Sequence, residues 1–291
     1  MRLAVTVIAA ERERTNLPRH AAAVATRLAT EPLWLGPAAC DFVLAAQDPV
    51  AVEAEVRTAL HNAAVDVLVQ RAAGRRKRLL VADLEATVIE NEMLDELADL
   101  IGLYPRIAEI TRRAMNGEID FVAALERRVA LLAGVEEGML AAAAARIRIA
   151  GGAASLVATM RRDGAVTALV SGGFTVFAEP VAKALGFDHV IANRLEVVSG
   201  RVLGSVRPPL VTPEAKREAL LALAAAHAVP LAETLAVGDG ANDLPLLRTA
   251  GLGVAFHAKP RVAAAAGFRL DHADLCGLLY AQGYRQQDFV A

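Results

Sequence analysis

Cysteine is scarce in this chain, and the two present, Cys40 and Cys276, stand far apart with no CxxC pair. A disulfide scaffold and a zinc ribbon are therefore unsupported. Aromatic residues make up only 4% of the 291 residues. Long uncharged apolar runs are also missing, although 55% of the chain is apolar and its mean hydropathy is +0.38. A spanning helix needs about 20 mostly apolar residues. Residues 219–232 are too few and hold His227 and Pro230, with Glu218 and Glu233 at their ends. Residues 164–178 are short as well and contain Ser171-Gly172-Gly173. The apolar start turns charged at Glu11, too soon for a secretory leader. A net charge of -2 and a pI of about 6.3 argue against a dedicated nucleic-acid binder. The expectation is a cytoplasmic protein with no membrane and no nucleic-acid partner. Its length suits roughly two domains.

What is present divides near residue 75. Residues 3–9 and 65–69 read as strands, 17–29 and 50–62 as helices, and 33–35 and 41–46 as two further short apolar runs. The order βαββαβ is that of a small ferredoxin-like α/β module. Ala72-Ala73-Gly74-Arg75-Arg76-Lys77-Arg78 reads as a solvated basic junction. After it, residues 79–82 are continuously apolar, as in a strand buried on both faces. Residues 90–150 are almost wholly helical in pattern. Short apolar segments at 165–170, 190–193, 234–237 and 252–256 then alternate with helices. That alternation predicts a doubly wound parallel sheet, with the helical block inserted after its first strand.

In such sheets ligands bind beyond the carboxyl ends of the strands. The first of these ends reads Asp83-Leu84-Glu85-Ala86-Thr87. Residues two apart in an extended segment face the same way, so Asp83 and Glu85 either share a site or form a solvated acidic cap. Ser171-Gly172-Gly173 offers a hydroxyl and accessible backbone N–H groups to an anion, or a plain turn into a helix. Gly238-Asp239-Gly240-Ala241-Asn242-Asp243 sets three oxygen-bearing side chains in a glycine-rich turn. Hard oxygen donors suit Mg²⁺, and a turn alone does not require two carboxylates. Lys216, near a helix start at Thr212-Pro213, would be unremarked by itself.

Taken in order, these four elements resemble the motifs of the haloacid dehalogenase superfamily. Further stretches (DLEATVIENEMLDEL at 83–97, MNGEIDFVAALERRVALL at 115–132, VSGGF at 170–174, ANRL at 192–195, VGDGANDL at 237–244 and VAFHAKP at 254–260) are similar to the bacterial phosphoserine phosphatases. The resemblance covers residues 76–291. It implies a Rossmann-like phosphatase domain there, with a helical cap over about 90–150, preceded by an ACT-like module over 1–75. Such modules can bind amino acids and mediate dimers, which leaves a homodimer open.

By the same resemblance Asp83 is a nucleophile toward the phosphorus of O-phosphoserine, a small-molecule phosphomonoester of serine biosynthesis. Glu85 is the general acid and base. Mg²⁺ is held by Asp83, the backbone carbonyl of Glu85, Asp239 and Asp243. Ser171, Gly172 and Lys216 bind phosphate oxygens, and Asn242 joins the substrate contacts. On the cap, Glu92 meets the substrate ammonium and Arg128, preferred over Arg127, its carboxylate; Met115 and Phe121 line the pocket.

One departure stands out. Most members carry Asp where this chain has Glu85, and a related branch, the phosphoserine:homoserine phosphotransferases, carries Glu in a DLEG context. This chain lacks that glycine. Phosphotransfer to an alcohol acceptor is the main alternative, and a non-enzymatic amino-acid or phosphate sensor the other.

Overall fold

A computed structural model of the chain describes residues 1–61, 63–115 and 118–290, the side chain of Met115 excepted. The chain opens with β1 (Arg2–Ala9), α1 (Leu17–Leu28), β2 (Leu33–Gly36), β3 (Ala39–Ala45), α2 (Pro49–Leu60) and β4 (Val65–Arg71). The four strands form one antiparallel sheet in the order β2-β3-β1-β4, the expected βαββαβ arrangement. Alternate residues of β1 (Leu3, Val5, Val7) pack with Leu17, Val24, Phe42 and Val56 from the helices and β3. Asp48 starts α2 by accepting hydrogen bonds from the N–H groups of Val50 and Ala51, with Pro49 in the first turn.

A seven-stranded sheet follows. It is built from β5 (Leu79–Ala82), β6 (Val166–Phe174), β7 (His189–Val198), β8 (Arg201–Arg207), β9 (Thr234–Gly238), β10 (Leu252–Phe256) and β11 (Phe268–Leu270). Between β5 and β6 lie α3 (Met93–Leu100), α4 (Tyr104–Met115), α5 (Phe121–Ala130), α6 (Glu137–Ala144) and α7 (Ala153–Arg162). Beyond β6 come α8 (Thr175–Leu185), α9 (Pro213–Ala226), α10 (Leu244–Thr249), α11 (Pro260–Ala263) and α12 (Gly277–Ala281). The strand order is β11-β10-β9-β5-β6-β7-β8, with β5 to β7 and β9 to β11 parallel. Every residue of β5, β9 and β10 is buried, which accounts for their unbroken apolar runs. From β5 the chain proceeds to β6 on one side and later to β9 on the other. The switch point therefore lies at the carboxyl end of β5, where Asp83 stands.

Three features differ from the sequence expectation. The 190–193 segment is the start of a ten-residue strand that turns back as the antiparallel β8. Ser199 and Gly200, both at positive φ (50° and 73°), make the two-residue turn that suits a hairpin. β8 carries Arg at both ends and exposes alternate residues, so it lacks the apolar run of a central strand. β11 is only three residues long. The basic junction is also less solvated than expected. Lys77 is buried, with its Nζ on the carbonyls of Gly74 and Ala232, and Arg75 pairs with buried Asp41 at 2.7 Å. Arg76 lies over the Tyr284 ring, 3.2 Å from its centre.

The first sheet is held to the second by buried polar contacts. Asp66 accepts three hydrogen bonds from the N–H groups of Asp271, His272 and Ala273, at 2.7, 3.2 and 2.8 Å. Gln70 donates to the Ala281 carbonyl at 2.7 Å. No helix among the described residues is long and apolar enough to cross a membrane.

Candidate active site

Two parallel strands and one helix deliver charge to a single point. Asp83 follows the last residue of β5, and Asp239 and Asp243 follow β9. Thr212 caps α9 by accepting from the Ala215 N–H, which sets Lys216 in the first turn, inside the protein. Its Nζ lies 2.8 Å from Asp83 Oδ1 and 2.7 Å from Asp243 Oδ1. Lys216 and Asp243 are 1% and 0% exposed, so this lysine is a structural centre of the site and no surface cation. The N–H of Leu84 also donates to Asp83 Oδ1, at 2.8 Å. Among the described residues, Oδ2 is the Asp83 oxygen left for other partners.

Glycine is required where the chain crowds these carboxylates. A Cβ on Gly238 would collide with the Asp243 side chain, and one on Gly240 with Asn242. The Gly240 N–H donates to Asp243 Oδ2 at 3.1 Å, fixing that carboxylate toward Lys216. On the β6 side, Ser171 is buried and its Oγ accepts from the Gly173 N–H at 2.9 Å. The ladder to β7 breaks between Ser171 and Phe174, so Gly172 and Gly173 are not consumed by sheet pairing.

Negative charge exceeds positive charge here. Burial, together with the charges of Asp83 and Asp243, pushes Asp239 up to about 8. Burial and the Asp83 charge push Asp243 up to about 7, against the pull of Lys216. Burial opposes the charge on Lys216, but the two carboxylates outweigh it and hold the ammonium above its ordinary range. Asp83, Asp239 and Asp243 each offer an oxygen within 4.8 Å of the others. Hard oxygen donors in excess of local positive charge fit a small divalent cation.

Glu85 leaves this cluster and turns toward the helices inserted after β5. The chain bends at Ala86, which sits at φ 50°, and Glu85 Oε1 accepts from the Met93 N–H at the start of α3, at 2.9 Å. Burial first, then the Glu92 charge, raises its carboxyl to about 8, above the opposing effect of the Met93 hydrogen bond. Glu85 is thus a protonated acid near neutral pH. A Cβ on Gly173 would lie 2.9 Å from Glu85 Oε2, so the second glycine of the β6 turn makes room for this longer side chain.

The inserted helices supply the opposite wall. Asp120 starts α5 by accepting from the Ala123 N–H. Phe121 then comes within 3.2 Å of where a Gly172 Cβ would be. Arg128 is half-buried and Arg127 is exposed, so the inward-facing arginine is the one preferred from sequence. Burial lowers the Arg128 guanidinium, while the carboxylates of Glu85, Glu92 and Asp95 act against that. Glu92 keeps an exposed edge yet is crowded by protein; burial, with Asp95 and Asp83, raises its carboxyl. Met115 ends α4, and its side chain lies outside the described residues.

Two contributors lie within the matching stretches, but the sequence reading gives them no role. Asn193, 1% exposed, donates to the Gly172 carbonyl at 2.7 Å and accepts from the Val211 N–H at 2.8 Å. It ties the β6 turn to the segment entering α9. In sequence it stands in the ANRL stretch at 192–195, which marks the position without showing which backbone groups it serves. Asp95, in the first turn of α3, adds a carboxylate facing Arg128. It is masked in sequence by Glu96 beside it. Thr87 is fully buried, and among the described residues its hydroxyl has no hydrogen-bond partner.

Residues 80–248 match the family model for the haloacid dehalogenase-like hydrolases. The phosphoserine phosphatase of Streptomyces coelicolor is 41% identical over 247 residues, which span 82% of this chain and 60% of that protein. The chain thus corresponds to about 60% of that relative's length. The solved structure of a probable phosphoserine phosphatase from Vibrio cholerae superposes with a TM-score of 0.79 at 32% identity, over 99% of this chain and 89% of that one. A phosphoserine phosphatase solved as a phospho-aspartyl intermediate analogue superposes with a TM-score of 0.66 at 35% identity, over 70% of this chain and 98% of that one.

Proposed function

The chain belongs to the haloacid dehalogenase-like hydrolases, and within that family we propose that it is a Mg²⁺-dependent phosphoserine phosphatase. One observation carries the reading: Lys216 is buried between Asp83 and Asp243 beside the Ser171 turn, under helices that face the site with Glu92, Asp95 and Arg128. The first group suits a phosphoryl group. The second suits the ammonium and carboxylate of an amino acid, since a guanidinium can bind a carboxylate through two parallel hydrogen bonds.

In this mechanism Asp83 Oδ2 attacks phosphorus, and the bond from phosphorus to the serine oxygen breaks. Glu85, protonated near neutral pH, gives its proton to the leaving alkoxide. Water then attacks phosphorus, Glu85 takes a proton back, and Asp83 is released with inorganic phosphate. A carboxylate nucleophile needs no proton removed, and the covalent step divides one hard displacement into two. Lys216, Ser171 and the Gly172 N–H hold phosphoryl oxygens, with Asn242 at the rim. Asp83, Asp239, Asp243 and the Glu85 carbonyl would hold Mg²⁺, which neutralises charge on the transferring group when bound. Phe121 and Met115 line the substrate side of the inserted helices.

The reading extends to the division of the chain. Residues 1–75 form an ACT-like module, and residues 76–291 the phosphatase domain with its cap over about 90–150. A homodimer through the open edge of β2, where Leu33 and Trp34 are exposed, and a cytoplasmic location consistent with two free thiols belong to the same proposal.

Purified protein with phosphoserine and Mg²⁺ should release inorganic phosphate, with EDTA and Asp83→Asn each abolishing turnover. Absence of release, or phosphate appearing only on added homoserine, would overturn the assignment.

A further inference from the structure

A second cavity, of about 520 Å³, lies between the first sheet and the segments that join the inserted helices to the large sheet. None of Asp83, Glu85, Ser171, Lys216, Asp239 or Asp243 lines it. Its volume is in the range of small-molecule sites. Three parts of the chain meet there. Ile8, Ala9 and Ala38 come from the first sheet and its turns. Ala86, Thr87, Ile89 and Glu90 lead into the inserted helices, and Ala150 and Gly151 lead out. Phe256, Asp274 and Tyr280 come from the last third of the chain.

The two middle segments are a hinge in structural terms. Ile89 and Ile149 form an isolated antiparallel bridge, flanked by Glu90 N–H to the Arg148 carbonyl and Ala150 N–H to the Val88 carbonyl, each 2.9 Å. These two segments are the covalent links between α3 to α6 and the sheet, and the α5–α6 turn also pairs with the β7–β8 hairpin through Gly134 N–H to the Val202 carbonyl and Val202 N–H to the Val135 carbonyl, at 2.8 and 2.9 Å. A body lodged beside the two segments would touch the hinge, the first sheet and the large sheet together.

The lining states the chemistry of an occupant. The floor is apolar and buried: Ile8, Ala9, Ala38, Ile89, Ala150 and Phe256. Thr87, also in that floor, has a fully buried hydroxyl without a partner among the described residues. Around the rim stand three carboxylates, Glu11, Glu90 and Asp274, against one guanidinium, Arg14, which is already paired with Glu11 at 2.7 Å. Glu90 pairs with Arg148 at an exposed edge, and Asp274 accepts from the Cys276 N–H through one oxygen. His257 and His272 also face the rim, His257 stacked on Phe256 with its Nε2 on the Ala273 carbonyl.

We propose that this cavity binds a small organic cation, an ammonium group on an apolar body, and that occupancy restrains the hinge of the inserted helices. The apolar part would lie on the Ile8, Ala38 and Phe256 floor, and the ammonium would meet Glu90 and Asp274. A ligand shifts an opening equilibrium only through contacts it makes in one state and not the other. Contact with both hinge segments provides that difference.

Titration calorimetry of the full chain with phenethylamine tests the site, with succinate as the anionic control. Phenethylamine should bind at millimolar concentration or below, and succinate should not. Glu90→Gln and Asp274→Asn should each weaken binding about tenfold, the effect of losing one charged hydrogen bond. Amide exchange over residues 86–90 and 148–151 should slow in the presence of the amine. No heat at millimolar amine, binding of succinate instead, or affinity unchanged in both variants overturns the site. Binding with unchanged exchange overturns the restraint on the hinge. Neither readout uses phosphate release, so both stand apart from the identity of the substrate.

Discussion

Glu85 shows how one methylene can be absorbed locally. A glutamate reaches about 1.5 Å further than an aspartate, and misplacement by about 1 Å can cost about 100-fold in rate. Here the added length is taken up by the Met93 N–H and by the missing Cβ of Gly173. Shortening the side chain should therefore harm rather than help: Glu85→Asp is expected to lower kcat about 10- to 100-fold with KM nearly unchanged. Steady-state kinetics on phosphoserine decide this, and a rise in kcat would refute it. Arg128 and Arg127 give the second test at this scale. Arg128→Ala should raise KM at least 10-fold, through loss of a charged partner for the substrate, while Arg127→Ala leaves KM within about twofold.

Single elements matter through the turns that end them. The β6 turn is held open by Asn193, whose one side chain serves the Gly172 carbonyl and the Val211 N–H. Replacing it with alanine leaves the buried Val211 N–H and the partly buried Gly172 carbonyl unpaired, at a cost of about 1–3 kcal/mol for a buried group. Asn193→Ala should thus lower unfolding free energy by about 2–4 kcal/mol in a urea melt and weaken inhibition by inorganic phosphate. Asn193→Asp tests the geometry: it keeps the acceptor for Val211 and loses the donor to Gly172. α9 offers the converse case. Its cap at Thr212 and Pro213 was plain in sequence, and so was its register, but a lysine one turn in reads as solvated. Only the packing of α9 against the strand ends carries Lys216 to 1% exposure.

For the whole molecule, the contact between the two sheets rests heavily on Asp66, which answers three N–H groups of the 271–273 turn. Burial raises its carboxyl, against those three hydrogen bonds and the His272 charge, so the carboxylate is held there at some expense in solvation. Asp66→Ala should lower stability by about 3 kcal/mol or more and open the 72–78 junction to limited proteolysis. An unchanged melting temperature together with unchanged cleavage would show that the sheets are held without Asp66.

Strands β5, β9 and β10 were legible because a doubly covered parallel strand must be continuously apolar, and the polar residues that break each run mark the strand end where ligands bind. Asp83, Ser171 and Asp239 were readable for that reason, from local chemistry and order along the chain. β8 and β11 were not, since an edge strand needs neither an apolar run nor more than a few residues. Asn193, Asp95 and the burial of Lys216 were decided by the tertiary structure. Each depends on which distant backbone group or charge comes to face it, and no local pattern encodes that. The scarcity of cysteine and of uncharged apolar runs argued from the sequence alone against staples and spans. What holds the site together instead is a buried lysine between two carboxylates brought from strand ends more than 150 residues apart.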